Sequence, residues 1–372
     1  MIIELLHNNV LRILFSFIMS VGLIVYLIPK IVEISWKKGL VDKPNGRTVH
    51  SGYVPNLGGI AIIASIVVSS LMFWNISLID GVQYRLVGIL IIFFVGFIDD
   101  LMEMDHKKKF GGEIVASLIV IILGDVRLTS CHGFLGIYEI PYIASIALTL
   151  FVFLLIINAF NLIDGIDGLS SGIGIIISIT FGIWFFLINK IELAVLASSI
   201  AGSLAAFFCF NVFSKKYKIF MGDSGALLIG FLIAILSVRF NELNLNATSQ
   251  WFVNSSPVIS AGILAIPLFD TARVMFIRLL RNQSPFKADR RHMHHMLLDL
   301  KLTHLQATSV LVGINIGIIV MMMVLQQYIS NIIVLSAILV TLILGLSAIP
   351  YQLLTKRKRE SKHISTTYFS LD

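Results

Sequence analysis

The sequence predicts an all-α integral membrane protein, a polytopic bundle of about eleven transmembrane helices. Three observations support this fold class. First, 57% of the 372 residues are hydrophobic and only 13% are charged, whereas charged residues make up about 25% of a soluble domain. Second, apolar runs of about 20 residues recur along the whole chain. Third, these runs lack the two-residue alternation of a membrane β-barrel strand.

The predicted helices follow one another without a linker between domains. We expect them at 11–29, 56–74, 84–99, 112–124, 142–160, 169–189, 191–210, 225–240, 256–279, 307–327 and 332–353. The ninth of them is expected to kink at Pro267, because proline removes a backbone hydrogen bond within a helix. Residues 1–354 are therefore expected to form one transmembrane domain, and residues 355–372 a flexible, basic tail.

Lysine and arginine residues predict the orientation of the helices. Of the 28 such residues, 22 follow odd-numbered helices or lie in the tail, five lie on the opposite side, and Arg273 lies within a span. Since cytoplasmic loops are enriched in these cations, we expect the N-terminus outside the cell and the tail in the cytoplasm. The same bias accounts for the net charge of +7, so the charge gives no reason to expect a nucleic-acid partner.

Four polar clusters lie at the ends of apolar runs, and the predicted topology brings all four to the cytoplasmic face. They are Asp99-Asp100 and the stretches 158–168 (NAFNLIDGIDG), 220–225 (FMGDSG) and 290–295 (RRHMHH). A helix count that is wrong by one would scatter them over both faces. Acidic and imidazole groups that meet at a membrane surface point to a metal ion and a phosphate.

The first two clusters carry the carboxylates that are best suited to chemistry. Asp99 and Asp100 oppose the macrodipole at a helix C-terminus, which favours a cation or proton-transfer role; a helix that simply ends in water is the alternative. Asn161 and Asp164 share a helical face with Asn158, and glycines then end the helix. Two plain Asp-Gly turns are the alternative interpretation of this stretch.

The remaining clusters suit a nucleotide and its phosphates. Asp223 opens a helix, where it can be a simple N-cap or can hold Mg²⁺ beside a phosphate at the helix N-terminus. Phe220 can stack on a base or anchor at the membrane interface. The stretch 290–295 has neither a thiolate nor the His-x-x-x-His spacing of a zinc site. Its cations and imidazoles suit a diphosphate, with a solvated basic loop as the alternative.

These motifs together resemble the polyprenyl-phosphate N-acetylhexosamine-1-phosphate transferases, the superfamily that includes phospho-MurNAc-pentapeptide transferase. The similarity runs from about Asp42 to His295, in the family's order of five cytoplasmic loops. The stretches NAFNLIDGIDGL and FMGDSG are the most specific. The stretches RTVH, VPNLGG and HMHH are similar to the bacterial branch that uses GlcNAc.

The resemblance implies a reaction and its participants. GlcNAc-1-phosphate, or a related N-acetylhexosamine-1-phosphate, would pass from a UDP-sugar to undecaprenyl phosphate, with release of UMP. The enzyme would lie in the bacterial cytoplasmic (inner) membrane with its active site facing the cytoplasm. Mg²⁺ is the implied cofactor, with Mn²⁺ as a substitute, and a homodimer is a further expectation. A different class, an ion-coupled transporter with intramembrane carboxylates, stays open as the alternative.

The same resemblance implies a role for each candidate site residue. The residues implied to be catalytic are Asp99, Asp100, Asp164 and Asp167. The implied metal ligands are Asp223 and Asp100. The implied substrate-binding residues are Asn161, Phe220, Arg290, His294, His295, Arg47 and His50.

Overall fold

The computed structural model describes residues 8–42, 53–76, 80–245, 250–253, 255–280, 282 and 292–369. This part of the chain is mostly helical. The helices are α1 (Asn9–Lys38), α2 (Gly58–Phe73), α3 (Val82–Met102), α4 (His106–Leu118), α5 (Tyr142–Ile163), α6 (Leu169–Leu187), α7 (Ile191–Val212), α8 (Gly222–Leu243), α9 (Ser256–Ile263), α10 (Ala265–Leu280), α11 (Met293–Asp299), α12 (His304–Leu325) and α13 (Ile332–Phe369). An antiparallel hairpin of β1 (Ser130–Phe134) and β2 (Ile137–Glu139) lies between α4 and α5.

Seven of the described helices are long and apolar enough to cross a membrane. They are α1, α5, α6, α7, α8, α12 and the part Ile332–Leu353 of α13. The shorter α2 is also apolar. The chain is therefore a multi-pass membrane protein with a helical fold, as the composition predicts.

Helix α8 forms the centre of the bundle. In its apolar window 83% of the residues are buried, against 19% in α13 at the periphery. Both α3 and α5 pack along α8. A Cβ atom on Gly230 would lie only 2.7 Å from the Cα atom of Ile157, so glycine is what allows α5 and α8 to approach so closely.

Helix α1 packs against α7 through small side chains and one buried ion pair. Ser16 and Ser20 lie one turn apart on its buried face, and the side chain of Ser20 occupies the space beside Gly202. Near the start of α1, Arg12 donates to the Glu192 carboxylate at 2.7 Å and to the carbonyl oxygen of Phe73 at 2.7 Å. This pair ties α1, α2 and α7 together at one end of the bundle.

The structure differs from the sequence prediction in two places. The hairpin lies in a stretch for which the sequence offered no motif, and Glu242 at the end of α8 anchors it by accepting from the Thr129 N–H at 2.7 Å. The ninth predicted helix is divided into α9 and α10, with Leu264 between them. Helix α13 continues past Leu353 to Phe369, and the expected flexibility of residues 355–372 stays a prediction.

The starts of α2, α6 and α8 meet the ends of α3 and α5 at one end of the bundle. Gly96, near the end of α3, lies against the backbone of Ser224 at the start of α8. The N–H of Gly58 at the start of α2 donates to the carbonyl oxygen of Phe220, just before α8. The hairpin lies beside the other end of α8. The predicted site residues of these helix termini therefore lie on the same side of the molecule.

Candidate active site

A backbone clasp joins the segment before α2 to the segment before α8. The N–H of Phe220 donates to the carbonyl oxygen of Pro55 at 2.8 Å, and the carbonyl oxygen of Phe220 accepts from Gly58 at 3.0 Å. The Lys218 ammonium lies 5.8 Å from the centre of the Phe220 ring. The clasp holds the ring of Phe220 beside the start of α8, the helix that Asp223 opens.

Asp100 caps the N-terminus of α8. One of its carboxylate oxygens accepts from the Asp223 N–H at 2.7 Å, and the other accepts from the Ser224 N–H at 3.0 Å and the Ser224 hydroxyl at 2.6 Å. Gly222 enters the helix with a φ of 71°, where a Cβ atom would collide with this carboxylate. Asp100 thus satisfies free N–H groups and the positive end of the helix dipole, a role that the sequence did not predict.

Lys109 lies at the centre of a group of acidic and amide side chains. Its ammonium is 2.8 Å from the Asp99 carboxylate and 3.0 Å from the Asp223 carboxylate. The side-chain amide of Asn161 is oriented so that its oxygen accepts from the Lys109 ammonium at 3.1 Å and its nitrogen donates to the Asp223 carboxylate at 2.7 Å. Burial opposes the charge on Lys109, but Asp223 and Asp99 outweigh burial and raise its pKa. The sequence predicted the three partners but interpreted Lys109 only as an orientation signal.

The turn between α5 and α6, residues 164–168, is held by ionic contacts on one side. Lys218 and His304 approach the Asp167 carboxylate at 2.7 Å and 3.2 Å, and the Thr308 hydroxyl donates to the Asp167 carbonyl oxygen at 2.9 Å. Burial opposes ionisation of Asp167, but His304 and Lys218 outweigh burial and lower its pKa. Asp167 is therefore an anion at neutral pH, tied to α12 and to the segment before α8.

Asn211, which the sequence did not single out, holds the same turn from the other side. Its side-chain oxygen accepts from the Gly168 N–H at 2.7 Å, and its nitrogen donates to the Ile219 carbonyl oxygen at 2.9 Å. Asn211 is buried, so both backbone groups depend on it for hydrogen bonds. A polar residue inside the apolar run of α7 was the signal that could have identified it.

Asn158 and Asp164, three residues before and after Asn161, have different surroundings. Asn158 donates to the buried Glu113 carboxylate at 2.7 Å, one turn away from the cluster around Lys109. Asp164 follows the last residue of α5. Burial raises the pKa of Asp164 well above its usual range, and the carboxylates of Asp223 and Asp100 add to this effect. Asp164 therefore lies close enough to the cluster to sense its charges.

His294 packs against the turn between α5 and α6. It is only 1% exposed, and a Cβ atom on Gly165 would lie 2.6 Å from its Nε2 atom. Burial, and then the neighbouring His295, lower the pKa of His294 to about 3, so the imidazole is neutral. Among the described residues, neither ring nitrogen of His294 has a hydrogen-bond partner. The sequence predicted that this ring lies near the site, and its predicted role in binding a diphosphate stays a prediction.

Most of the sequence-predicted site residues lie together, and three fall outside the described residues. The residues at this end of the bundle are Asp99, Asp100, Asn161, Asp164, Asp167, Phe220, Asp223, His294 and His295. Arg47, His50 and Arg290 lie outside the described part of the chain. Their roles, like the catalytic, metal and substrate-binding roles of the others, stay predictions.

Comparison with known proteins identifies the family. Residues 82–241 match the model of glycosyl transferase family 4. The probable undecaprenyl-phosphate N-acetylglucosaminyl 1-phosphate transferase of Bacillus subtilis is 32% identical over 316 residues, which cover 85% of each chain. The chain belongs to glycosyl transferase family 4. The undecaprenyl-phosphate alpha-N-acetylglucosaminyl 1-phosphate transferase of Escherichia coli K12 is 29% identical, over 80% of this chain and 79% of its own length.

The part that matches the family 4 model contains most of the site but not all of it. It begins with α3 and ends within α8, so it includes Asp99, Lys109, Asn161, Asp167 and Asp223. The buried imidazole of His294 lies beyond it. His294 nevertheless lies at the candidate site, because α11 places its ring against the turn between α5 and α6.

We expect Gly165→Ala to impair this family 4 protein with little effect on its stability. The new Cβ atom would displace His294 from the turn between α5 and α6, while residue 165 itself is exposed. A shift of about 1 Å in a catalytic site lowers a turnover rate by about 100-fold. Steady-state turnover and thermal unfolding would be measured. Gly111→Ala is the control, since nothing lies within 4 Å of its new Cβ atom; equal effects of the two changes would contradict the assigned contact.

Proposed function

We propose that the protein transfers GlcNAc-1-phosphate, or a related N-acetylhexosamine-1-phosphate, from a UDP-sugar to undecaprenyl phosphate. The products are undecaprenyl-diphospho-sugar and UMP. The relatives from Bacillus subtilis and Escherichia coli carry names of this activity. They match the chain over most of its length, which supports the same reaction here.

The convergence of Asp99, Asp223 and Asn161 on Lys109 is the observation that carries the proposal. Three helix termini and α4 contribute to this cluster, although the residues are far apart in the chain. Phosphoryl transfer depends mainly on positioning and on neutralising charge, with little covalent chemistry for the protein to perform. A cluster of fixed charges beside an aromatic ring and a helix N-terminus meets these needs.

The donor set fits Mg²⁺, with Mn²⁺ as a substitute. Among the described residues, no three carboxylate, imidazole or thiol side chains form one ligand cluster. Mg²⁺ does not need such a cage, because it usually binds through one or two carboxylates, substrate phosphates and water. Asp223 and Asp99 would be the carboxylates with that role, and Asn161 would add an amide oxygen; in the structure all three contact Lys109. Asp100 supports them as the cap of α8, and its predicted role as a direct ligand stays a prediction. When bound, the ion would neutralise the diphosphate of the UDP-sugar.

The remaining side chains orient the two substrates. Lys109 adds a positive charge next to the site of transfer, and Phe220 offers a face on which uracil stacks. Beside the bound ion, Asp99 would contact or deprotonate the lipid phosphate, although the second pKa of a phosphate monoester, about 6, leaves little work for a general base. Asp164 and Asp167 shape the turn between α5 and α6 around the sugar and its diphosphate. The neutral His294, whose ring nitrogens have no partner among the described residues, would form a hydrogen bond with the diphosphate at the same turn.

Four further predicted site residues complete the proposal. Arg290, His295, Arg47 and His50 are proposed to contact the diphosphate or the sugar, as the family resemblance implies. Guanidinium groups suit this role because they bind phosphate oxygens in pairs.

An ion-coupled transporter is the less favoured alternative. Transporters place coupling carboxylates near the middle of the membrane, where broken helices line a path. Here the carboxylates lie at helix termini at one end of the bundle, and Asp167 and Asp99 are each paired with a lysine. This arrangement favours catalysis at a membrane surface.

The proposed topology follows from the positive charge of the loops. About eleven helices would cross the bacterial inner membrane, with the N-terminus outside and the active site and tail in the cytoplasm. Within residues 1–354, the break between α9 and α10 would be caused by Pro267 and would open a groove for the lipid chain. A homodimer is the proposed assembly.

One assay tests the proposed reaction. Purified protein would be incubated with undecaprenyl phosphate, Mg²⁺ and a panel of UDP-sugars, and UMP would be quantified. We expect UMP release with a UDP-N-acetylhexosamine that depends on both the lipid phosphate and the ion. Release of no UMP, together with ion-driven uptake of a solute into vesicles, would support the transporter instead.

We expect Phe220→Ala to raise the KM for the nucleotide sugar and to leave the KM for the lipid phosphate unchanged. Loss of one base–aromatic stack costs about 1–3 kcal/mol, which is about a 5- to 150-fold rise in KM. Both constants would be measured by UMP release. Phe213→Ala is the control, because Phe213 lies just after α7 with 61% of its surface exposed. A rise in both constants would argue against stacking on uracil.

A further inference from the structure

The break between α9 and α10 is bridged by one buried side chain from α12. Pro267 has no N–H, so it cannot donate to the carbonyl oxygen of Ile263, four residues earlier. Asn315, which is fully buried, donates to that oxygen at 3.1 Å. Its own oxygen accepts from the Ile266 N–H at 3.2 Å. A single amide therefore satisfies a free acceptor and a free donor on the two sides of the break.

Asp270 on α10 contacts His292 and Met293, the residues at which α11 begins. Asp270 lies one turn after Pro267 and is 2% exposed. Its carboxylate bonds to the His292 Nδ1 at 3.0 Å and accepts from the Met293 N–H at 3.0 Å. These two contacts fix the first residues of α11. The direction of α10 thus decides where α11 begins.

Helix α11 in turn carries the ring that lies against the turn between α5 and α6. His294 is the second residue of α11 and packs against Gly165. A change in the angle between α9 and α10 would move Asp270, then α11, and then His294. Each link in this series is a contact within the described residues, and the series starts at Asn315.

We propose that Asn315 is a positioning residue, which fixes the angle between α9 and α10 and so holds His294 against the turn between α5 and α6. No bulk water reaches the apolar interior of a membrane protein, so backbone groups at a helix break need a local hydrogen-bond partner, and here the Asn315 amide is that partner. Without Asn315 the break can settle at other angles that give these groups other partners. The role in turnover rests on the proposed sugar-phosphate transfer.

Asn241 offers a matched control on the other side of the break. It is also buried, and its side-chain nitrogen donates to the Ser237 carbonyl oxygen at 2.9 Å and to the Ser260 hydroxyl at 3.0 Å. Asn241 links α8 to α9 before the break, so it does not contribute to the angle between α9 and α10. Replacing either asparagine by leucine removes a buried amide of similar size.

The test combines a chemical probe with kinetics. Wild type, Asn315→Leu and Asn241→Leu would be treated with diethyl pyrocarbonate below their unfolding temperatures, and modification of His294 would be followed by peptide mass spectrometry. We expect His294 to be protected in the wild type and in Asn241→Leu, and to react in Asn315→Leu. The kcat of sugar-phosphate transfer should fall about 100-fold in Asn315→Leu, as for a misplaced catalytic group, and stay near the wild-type value in Asn241→Leu.

Two results would overturn the proposal. Protection of His294 in Asn315→Leu would show that the amide does not hold the ring in place. Equal reactivity of His294 in the two variants would show that only general stability has been lost. If the wild type transfers no sugar phosphate, the proposed function fails, while the modification of His294 still decides the role of Asn315.

Discussion

We expect Asp223→Asn to leave the protein folded and to slow sugar-phosphate transfer about 1,000-fold, in the range for loss of one preorganised electrostatic contact. The Asp223 carboxylate lies 3.0 Å from Lys109 and is the proposed ligand of the divalent ion. Asparagine has the same size and keeps the backbone N–H that donates to Asp100, so α8 keeps its cap. Only the negative charge is lost. UMP release and thermal unfolding would be measured together.

Asp125→Asn is the control for this change. Asp125 belongs to the opposite end of the bundle, where it pairs with Arg127 and its side chain is 81% exposed. We expect the Asp125→Asn variant to have the turnover rate of the wild type. A wild-type rate in Asp223→Asn would reject the metal-binding role of this carboxylate.

The second large effect is expected from Lys109→Met. The change leaves the Asp99 and Asp223 carboxylates close together without the ammonium that lies between them. Removing one partner of a buried ion pair costs about 3–5 kcal/mol. We expect the free energy of unfolding to fall by about 3 kcal/mol. Transfer should also slow about 100-fold, because a fixed charge beside the diphosphate is gone. Chemical denaturation and UMP release would be measured.

Lys108→Met separates this effect from a general loss of positive charge. Lys108 lies on the same helix but is exposed. We expect it to retain wild-type stability and turnover, since an exposed cation contributes little. Similar losses of stability and turnover in Lys108→Met and Lys109→Met would mean that any loss of positive charge on α4 is harmful. The specific role of Lys109 between Asp99 and Asp223 would then be rejected.

The carboxylates of the candidate site could be predicted from the sequence because helix parity is a strong constraint. Asp99, Asn161 and Asp223 each stand at the end of an apolar run, and a consistent helix count places all three on one face. The structure brings them within contact of one another. The role of Asp100 could not be predicted in this way, because nothing local indicates that it caps a helix that begins 122 residues later.

Contacts between distant helices account for the residues that the prediction missed. Lys109 stands in a run of three lysines, where orientation in the membrane is a sufficient explanation. Asn211 and Asn315 are single polar residues inside apolar runs, and each bonds to backbone groups of other segments. A polar residue buried in a membrane helix is costly, so it marks a candidate site even when its partner is unknown.

The fold was predictable to the extent that hydrophobicity determines it. The long apolar runs correspond to helices, among them α5, α7 and α8. The hairpin was not predicted, and the helix breaks at Leu264, three residues before Pro267, where a kink was expected. Both features have hydrogen-bond partners outside their own segments: Glu242 for the hairpin, and Asn315 for the backbone groups at the break.

Binding of Mn²⁺ to the purified protein in the presence of UDP-GlcNAc tests the central claim most directly. Electron paramagnetic resonance distinguishes bound from free Mn²⁺ without requiring turnover. If Asp223 and its neighbours form one divalent-cation site, the wild type and Asp125→Asn will bind Mn²⁺ together with the nucleotide sugar, and Asp223→Asn will not. Equal Mn²⁺ binding by Asp223→Asn and the wild type would contradict the account.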